Sequence, residues 1–157
     1  MKFVRGDIDG VHLIRLTRHD DGRGHLIETL RRDELPLKID FAMSYVSFTL
    51  PGKSRGPHEH REQTDVFAFT GPGRLKLVMW DNRRESPTYG RMSEHTLGEG
   101  APATVIVPPG VVHGYVNVSD EPAMVLNYPD RLFRGEGKKE QVDEIRHEDD
   151  VKTPFKL

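Results

Sequence analysis

A chain of 157 residues with a formal charge of −2 is long enough to bury one core, and with no basic run it is not built for nucleic acid. It contains no cysteine, which excludes disulfides and thiol catalysis, so any metal must be held by His, Asp or Glu. No window approaches the roughly 18 apolar residues of a membrane span, and the first residues carry no apolar signal region, so a soluble, cytoplasmic protein without a membrane partner is expected.

Glycine and proline punctuate short apolar runs, which predicts many strands joined by turns. Residues 11–17 read as a strand, 19–24 as a polar glycine-rich loop, and 25–30 as a second strand. Residues 31–36 read as one helical turn ended by Pro36. Residues 41–50 alternate most clearly, with Met43, Tyr45, Ser47 and Thr49 on one face. Strands follow at 65–70 and 74–81 around a Gly71-Pro-Gly73 turn, then at about 91–97, 103–107, 113–118 and 123–128. Residues 134–150 are highly charged and read as a solvated helix or arm. The expectation is one all-β domain over 1–157, with N-terminal strands in 1–40, a barrel core in 41–130 and a charged C-terminal arm in 131–157.

Two stretches carry chemistry. In the first, His58 and His60 stand two apart, so on a strand they project to one face, and Asp65 follows five positions later. That pattern fits either a metal-ligand set or an acid–base cluster. The second is Pro108-Pro-Gly110-Val-Val-His113-Gly-Tyr-Val-Asn117.

Together the two stretches resemble the signature motifs of the cupin superfamily, with Asp65 where the first motif usually has Glu and Pro102 where the second usually opens with Gly. The resemblance implies a double-stranded β-helix, or jelly-roll barrel, with short helical turns. By position it also implies one divalent ion on His58, His60, Asp65 and His113. Imidazole and carboxylate donors suit Zn, Fe, Mn or Ni.

Within the cupins the chain resembles the dTDP-4-dehydrorhamnose 3,5-epimerases. Asp21-Gly-Arg-Gly-His-Leu-Ile-Glu28, Arg55-Gly-Pro-His58, Asp81-x-Arg83 with Ser86-Pro-Thr-Tyr-Gly90, Pro109-Gly-Val-Val-His113-Gly-Tyr, and Ile145-Arg-x-x-Asp149 carry the likeness in order. It implies proton abstraction beside the ketone of a 4-keto-6-deoxy nucleotide sugar, with no cofactor. His58 would be the base, Asp149 its partner, and Tyr128 the phenol nearest the family's acid position. Arg23 and Arg55 would grip the diphosphate, Glu28 and His113 would line the pocket, and Tyr45 occupies a nucleotide-contacting position. A homodimer that exchanges N-terminal strands is implied as well. The departures are Asp65 at the family's catalytic Lys and His58-Glu59-His60 in place of His-Tyr-Gln. They leave two alternatives: a metal-dependent cupin enzyme of another reaction class, or a non-catalytic ligand-binding cupin.

Overall fold

The computed structural model describes residues 2–157. The strands are β1 (Val4–Arg5), β2 (His12–Arg15), β3 (Arg18–Asp21), β4 (Gly24–Ile27), β5 (Tyr45–Thr49), β6 (Ser54–His60), β7 (Asp65–Phe69), β8 (Arg74–Asp81), β9 (Arg91–Gly98), β10 (Ala103–Val107), β11 (Val111–Asn117), β12 (Ala123–Asn127) and β13 (Glu144–Arg146). A short 3-10 turn spans Glu136–Lys138. No helix among the described residues is long and apolar enough to cross a membrane.

Two sheets face each other. One has the order β1-β9-β8-β11-β6-β13 and the other β2-β10-β7-β12-β5, while β3 and β4 form a separate hairpin. Alternation explains the interior. Phe67 and Phe69 of β7, Leu75, Leu77 and Met79 of β8, Val105 and Val107 of β10, Tyr115 of β11 and Val125 of β12 all point between the sheets and are buried. This is the expected jelly-roll barrel.

Strands β8 and β11 are also apolar on their outward side, and a strand apolar on both faces needs cover on both. Val78, Trp80 and Val112 form a second cluster with Phe155, and Phe3, Met92 and Leu157 pack on it. The cover comes from the C-terminal residues. The segment expected as a solvated arm is largely exposed over 134–142, but its later part joins the fold: β13 pairs with β6, and beyond it Phe155 is 4 % exposed. Its charge reflects the solvent face of a segment that spends its few apolar residues on the barrel wall.

Two further expectations are corrected locally. Residues 18–27, read partly as a loop, form the β3–β4 hairpin. Residues 31–36 form a turn closed by the Glu34 N–H on the Arg31 carbonyl at 3.1 Å, without a helix.

Gly56 sets the approach of β6 to β11. It has φ +78°, and a Cβ there would lie 2.7 Å from the His113 carbonyl oxygen. The register shifts beside it, so that His58 opposes His113 while Arg55 opposes Tyr115. A shift of this kind re-aims side chains, and here it turns both His58 and Arg55 toward the interior.

Candidate active site

The interior between β5 and β6 is the polar end of the barrel. His58 and His60 enter from β6, His113 from β11, Asp65 from β7, Asn127 from β12 and Tyr45 from β5. The His58 and His113 rings meet edge-on at 4.7 Å, and His60 lies 5.7 Å from His58 and 6.1 Å from His113. The three histidines and the acid singled out by spacing are thus one cluster.

Asp65 is its hub. One carboxylate oxygen accepts from the side-chain amides of Gln63 at 2.9 Å and Asn127 at 2.8 Å. The other lies 3.1 Å from His60 Nε2 and 3.3 Å from His113 Nε2. Burial alone would raise the Asp65 carboxyl, but the His113 and His60 rings outweigh it and hold the group well below the usual carboxylate range.

His60 has an acceptor at each nitrogen: Asp65 at Nε2, and the Asp143 carbonyl 3.1 Å from Nδ1. Burial disfavours its charge, yet these two partners raise its pKa above the ordinary histidine value. Of the three rings in the cluster, it is the one whose surroundings favour the protonated form. The Asp143 carboxylate also accepts the backbone N–H groups of Arg61, Glu62 and Gln63 at 3.2, 3.0 and 2.9 Å, which fixes the turn between His60 and Asp65.

His58 is the opposite case. Burial, then His113 and His60, push its pKa down to about 2, so it is neutral at neutral pH. Its Nδ1 lies 3.3 Å from Glu144 and 4.0 Å from Glu148, and it is out of line for a hydrogen bond to either. The carboxylate beside His58 is therefore Glu144, not Asp149. Pairing β13 to β6 places Glu144 opposite His60 on the inward side and leaves Asp149 exposed past the strand.

Three buried polar atoms have no hydrogen-bond partner among the described residues: His58 Nδ1, His113 Nε2 and Ser47 Oγ. All three face this interior. His113 Nδ1 lies 3.0 Å from the Val111 carbonyl, and its Nε2 faces Asp65 at 3.3 Å. Unpaired buried polar atoms converging on one space can be satisfied there by a water, an ion or a polar ligand.

Tyr45 stands at the mouth, 43 % exposed, with its hydroxyl accepting from Asn127 Nδ2 at 3.0 Å. Arg55 lies at the same opening and donates to the Phe48 carbonyl and Thr49 Oγ1. Tyr128 is not in the site. Alternation along β12 sends Asn127 inward and the next residue outward, where the Tyr128 hydroxyl meets Thr29 Oγ1 at 3.1 Å and the ring packs on Phe41.

Arg23 and Glu28 are also absent from the cluster within one chain. Arg23 sits at the tip of the β3–β4 hairpin, bonded to Asp21 at 2.6 Å, and Glu28 pairs with Arg31 at 3.4 Å. Asp81 receives Arg83, Ser86 and Thr88, so that motif clamps the loop after β8 rather than serving the pocket.

The family model for dTDP-4-dehydrorhamnose 3,5-epimerase matches residues 5–149. The chain belongs to this family. It is accordingly an isomerase-class enzyme of the nucleotide-sugar epimerases. It is 36 % identical over 136 residues to a probable low-salt glycan biosynthesis epimerase of Haloferax volcanii, covering 86 % of each chain. It is 32 % identical over 139 residues to a spore coat polysaccharide biosynthesis protein of Bacillus subtilis, covering 88 % of each. Among solved structures, a dTDP sugar isomerase from Desulfovibrio desulfuricans superposes with a TM-score of 0.82 at 30 % identity, over 95 % of this chain and 91 % of that one. Family membership accounts for the barrel. Within that membership the epimerase's own pocket departs at Asp65 and Asn127, which stand at or beside the places where the resemblance sets a Lys and a Tyr.

Proposed function

We propose that the chain epimerises a 4-keto-6-deoxy nucleotide sugar, with His58 as the base that removes a proton beside the ketone. The observation that carries this reading is a histidine facing a groove with unpaired polar atoms and a carboxylate 3.3 Å behind it. The C–H electron pair passes into the enolate as His58 Nε2 takes the proton, and the positive charge formed on the ring faces Glu144. Arg55 at the mouth binds a phosphate oxygen of the nucleotide. His60, whose pKa is raised by Asp65 and the Asp143 carbonyl, stands at the end of the pocket where the family uses a lysine and favours negative charge on the enolate oxygen.

Arg23 and Glu28 reach a pocket when a second copy docks its hairpin there. A homodimer follows from this reading, supported by the exposed apolar side chains Leu26, Val46, Phe48 and Leu50 on the hairpin and on the outer face of β5. A soluble, cytoplasmic setting belongs to the same reading. Incubation with dTDP-4-keto-6-deoxyglucose in D2O tests it. Deuterium is expected to enter at the carbons beside the ketone, and a chain that exchanges no such proton from any 4-keto nucleotide sugar is not this enzyme.

The convergence of three imidazoles on one buried carboxylate favours a second reading. His58, His60, Asp65 and His113 each offer a donor atom within 4.8 Å of the others, and the donor set suits a divalent ion. Such an ion would supply Lewis-acid stabilisation of an enolate or of another substrate oxygen. Protons compete with the ion for the imidazole nitrogens, so affinity should rise with pH. Protein purified without an affinity metal column is expected, on this reading, to hold about one divalent ion per chain and to lose it in His60→Ala. Metal-free protein with full activity excludes it.

A further inference from the structure

We propose that Tyr45 is the proton donor that completes inversion, acting from the wall opposite His58. This rests on His58 being the base. Inversion at a carbon beside a ketone needs an acid on the face away from the base, so that the proton returns to the other side. His58 projects from the six-stranded sheet, and Tyr45 projects from the edge strand of the five-stranded sheet into the same interior.

The phenol is held ready by Asn127. That side chain is oriented by its own contacts: Oδ1 accepts the Val66 N–H at 3.0 Å, which turns Nδ2 toward Asp65 at 2.8 Å and Tyr45 at 3.0 Å. Because Asn127 donates to the Tyr45 oxygen, the phenolic hydrogen is not consumed and remains free for the groove. Burial outweighs the lowering effect of the Asn127 hydrogen bond and pushes the Tyr45 phenol up to about 12, so it carries its proton at working pH.

Tyr128, the phenol nearest in sequence to the family's acid position, is bonded to Thr29 on the outside of the sheet. Asn127 and Tyr45 oppose each other directly across β12 and β5. The hydroxyl has in effect moved one strand sideways, with an amide left beside it to aim it. The balanced step is transfer of the Tyr45 proton to the enolate carbon, which forms a C–H bond and leaves a phenolate that recovers a proton from solvent through the open mouth.

The test compares the wild type with Tyr45→Phe on dTDP-4-keto-6-deoxyglucose in D2O, following deuterium by mass spectrometry and configuration by proton NMR. In Tyr45→Phe the enolate still forms and is quenched from the His58 side. Exchange should stay within about tenfold of wild type while inversion falls at least about 100-fold. KM should hold within about twofold, because the ring is retained, and Tyr128→Phe should match wild type in both readouts. Inversion by Tyr45→Phe at the wild-type rate overturns the proposal, as does loss of exchange and inversion in parallel. Absence of exchange in the wild type removes the His58 reading itself, and this proposal with it.

Discussion

Replacing His58 with glutamine is expected to abolish deuterium exchange and epimerisation together, lowering kcat by about a thousandfold. Glu144→Gln should cost roughly 100-fold or more, because the imidazolium formed at His58 loses the carboxylate that faces its Nδ1 at 3.3 Å. Asp149→Asn should change kcat by less than about twofold, since Asp149 is exposed beyond β13. Steady-state rates of the three variants decide the assignment, and equal losses in Glu144→Gln and Asp149→Asn would return the partner role to Asp149.

His58 also imprints on stability. Folded, it stays neutral down to about pH 2; in the unfolded chain it takes up a proton below about 6.5. Between those values the unfolded state binds more protons, so stability falls as pH is lowered through that window, by at most about 1.4 kcal/mol per pH unit. His60, with its pKa raised, acts above 6.5 instead: its contribution is full below that value and lost as pH rises through its folded pKa. The lowered Asp65 pKa acts only below the ordinary carboxylate value of 3.8. Melting temperature between pH 6.5 and 4.5 therefore includes the His58 contribution, alongside those of His95, lowered by burial, and Glu148, raised by burial, and His58→Gln should reduce the slope of that limb.

The second large effect is expected at Asp65. It is 1 % exposed and accepts from two side-chain amides beside two histidines. Asp65→Ala removes the counter-charge of His60 and strands the amide donors of Gln63 and Asn127, which should destabilise the fold by about 3–5 kcal/mol. Urea denaturation at pH 7 measures it. The double variant Asp65→Leu with His60→Leu should recover part of the loss, because no unpaired buried charge then remains. A cost below about 1 kcal/mol for Asp65→Ala would mean that the cluster is held by its surroundings rather than by this carboxylate.

Much of the architecture was legible because it rests on period and punctuation. Strands 7, 8, 10 and 12 were visible as short apolar runs between glycines and prolines. The His58–His60 pair was visible because residues two apart on a strand share a face. What stayed hidden depended on parity and register. Tyr128 and Asn127 differ by one position, and only the alternation of a placed β12 tells which faces Asp65.

The partner of His58 was hidden for another reason. Asp143, Glu144, Glu148, Asp149 and Asp150 crowd one charged stretch, and only the pairing of β13 with β6 selects Glu144. Composition pointed the same stretch toward solvent, because its apolar anchors, Phe155 and Leu157, lie beyond the charges and are few. Tyr45 was seen on its strand, but its hydrogen bond to Asn127 spans 82 positions and has no local signal.

Trp80 gives the docking of that stretch a spectroscopic signature. It is the chain's single tryptophan, and its ring meets Phe155 at 5.6 Å and Phe3 at 6.4 Å on the outside of the barrel. The segment that delivers Phe155 also delivers Glu144. It is tied to the wall again by His147, whose Nε2 meets the buried Glu59 carboxylate at 2.9 Å while Asn82 donates to the same oxygen. Indole emission therefore reports whether residues 144–157 are seated, separately from the Phe67–Tyr115 interior. Partial opening that frees only this segment and global unfolding are events of different free energy. In mild denaturant, a red shift of Trp80 emission accompanied by loss of turnover, with the far-ultraviolet signal of the barrel intact, is the optical trace of an enzyme that has lost its base partner but kept its fold.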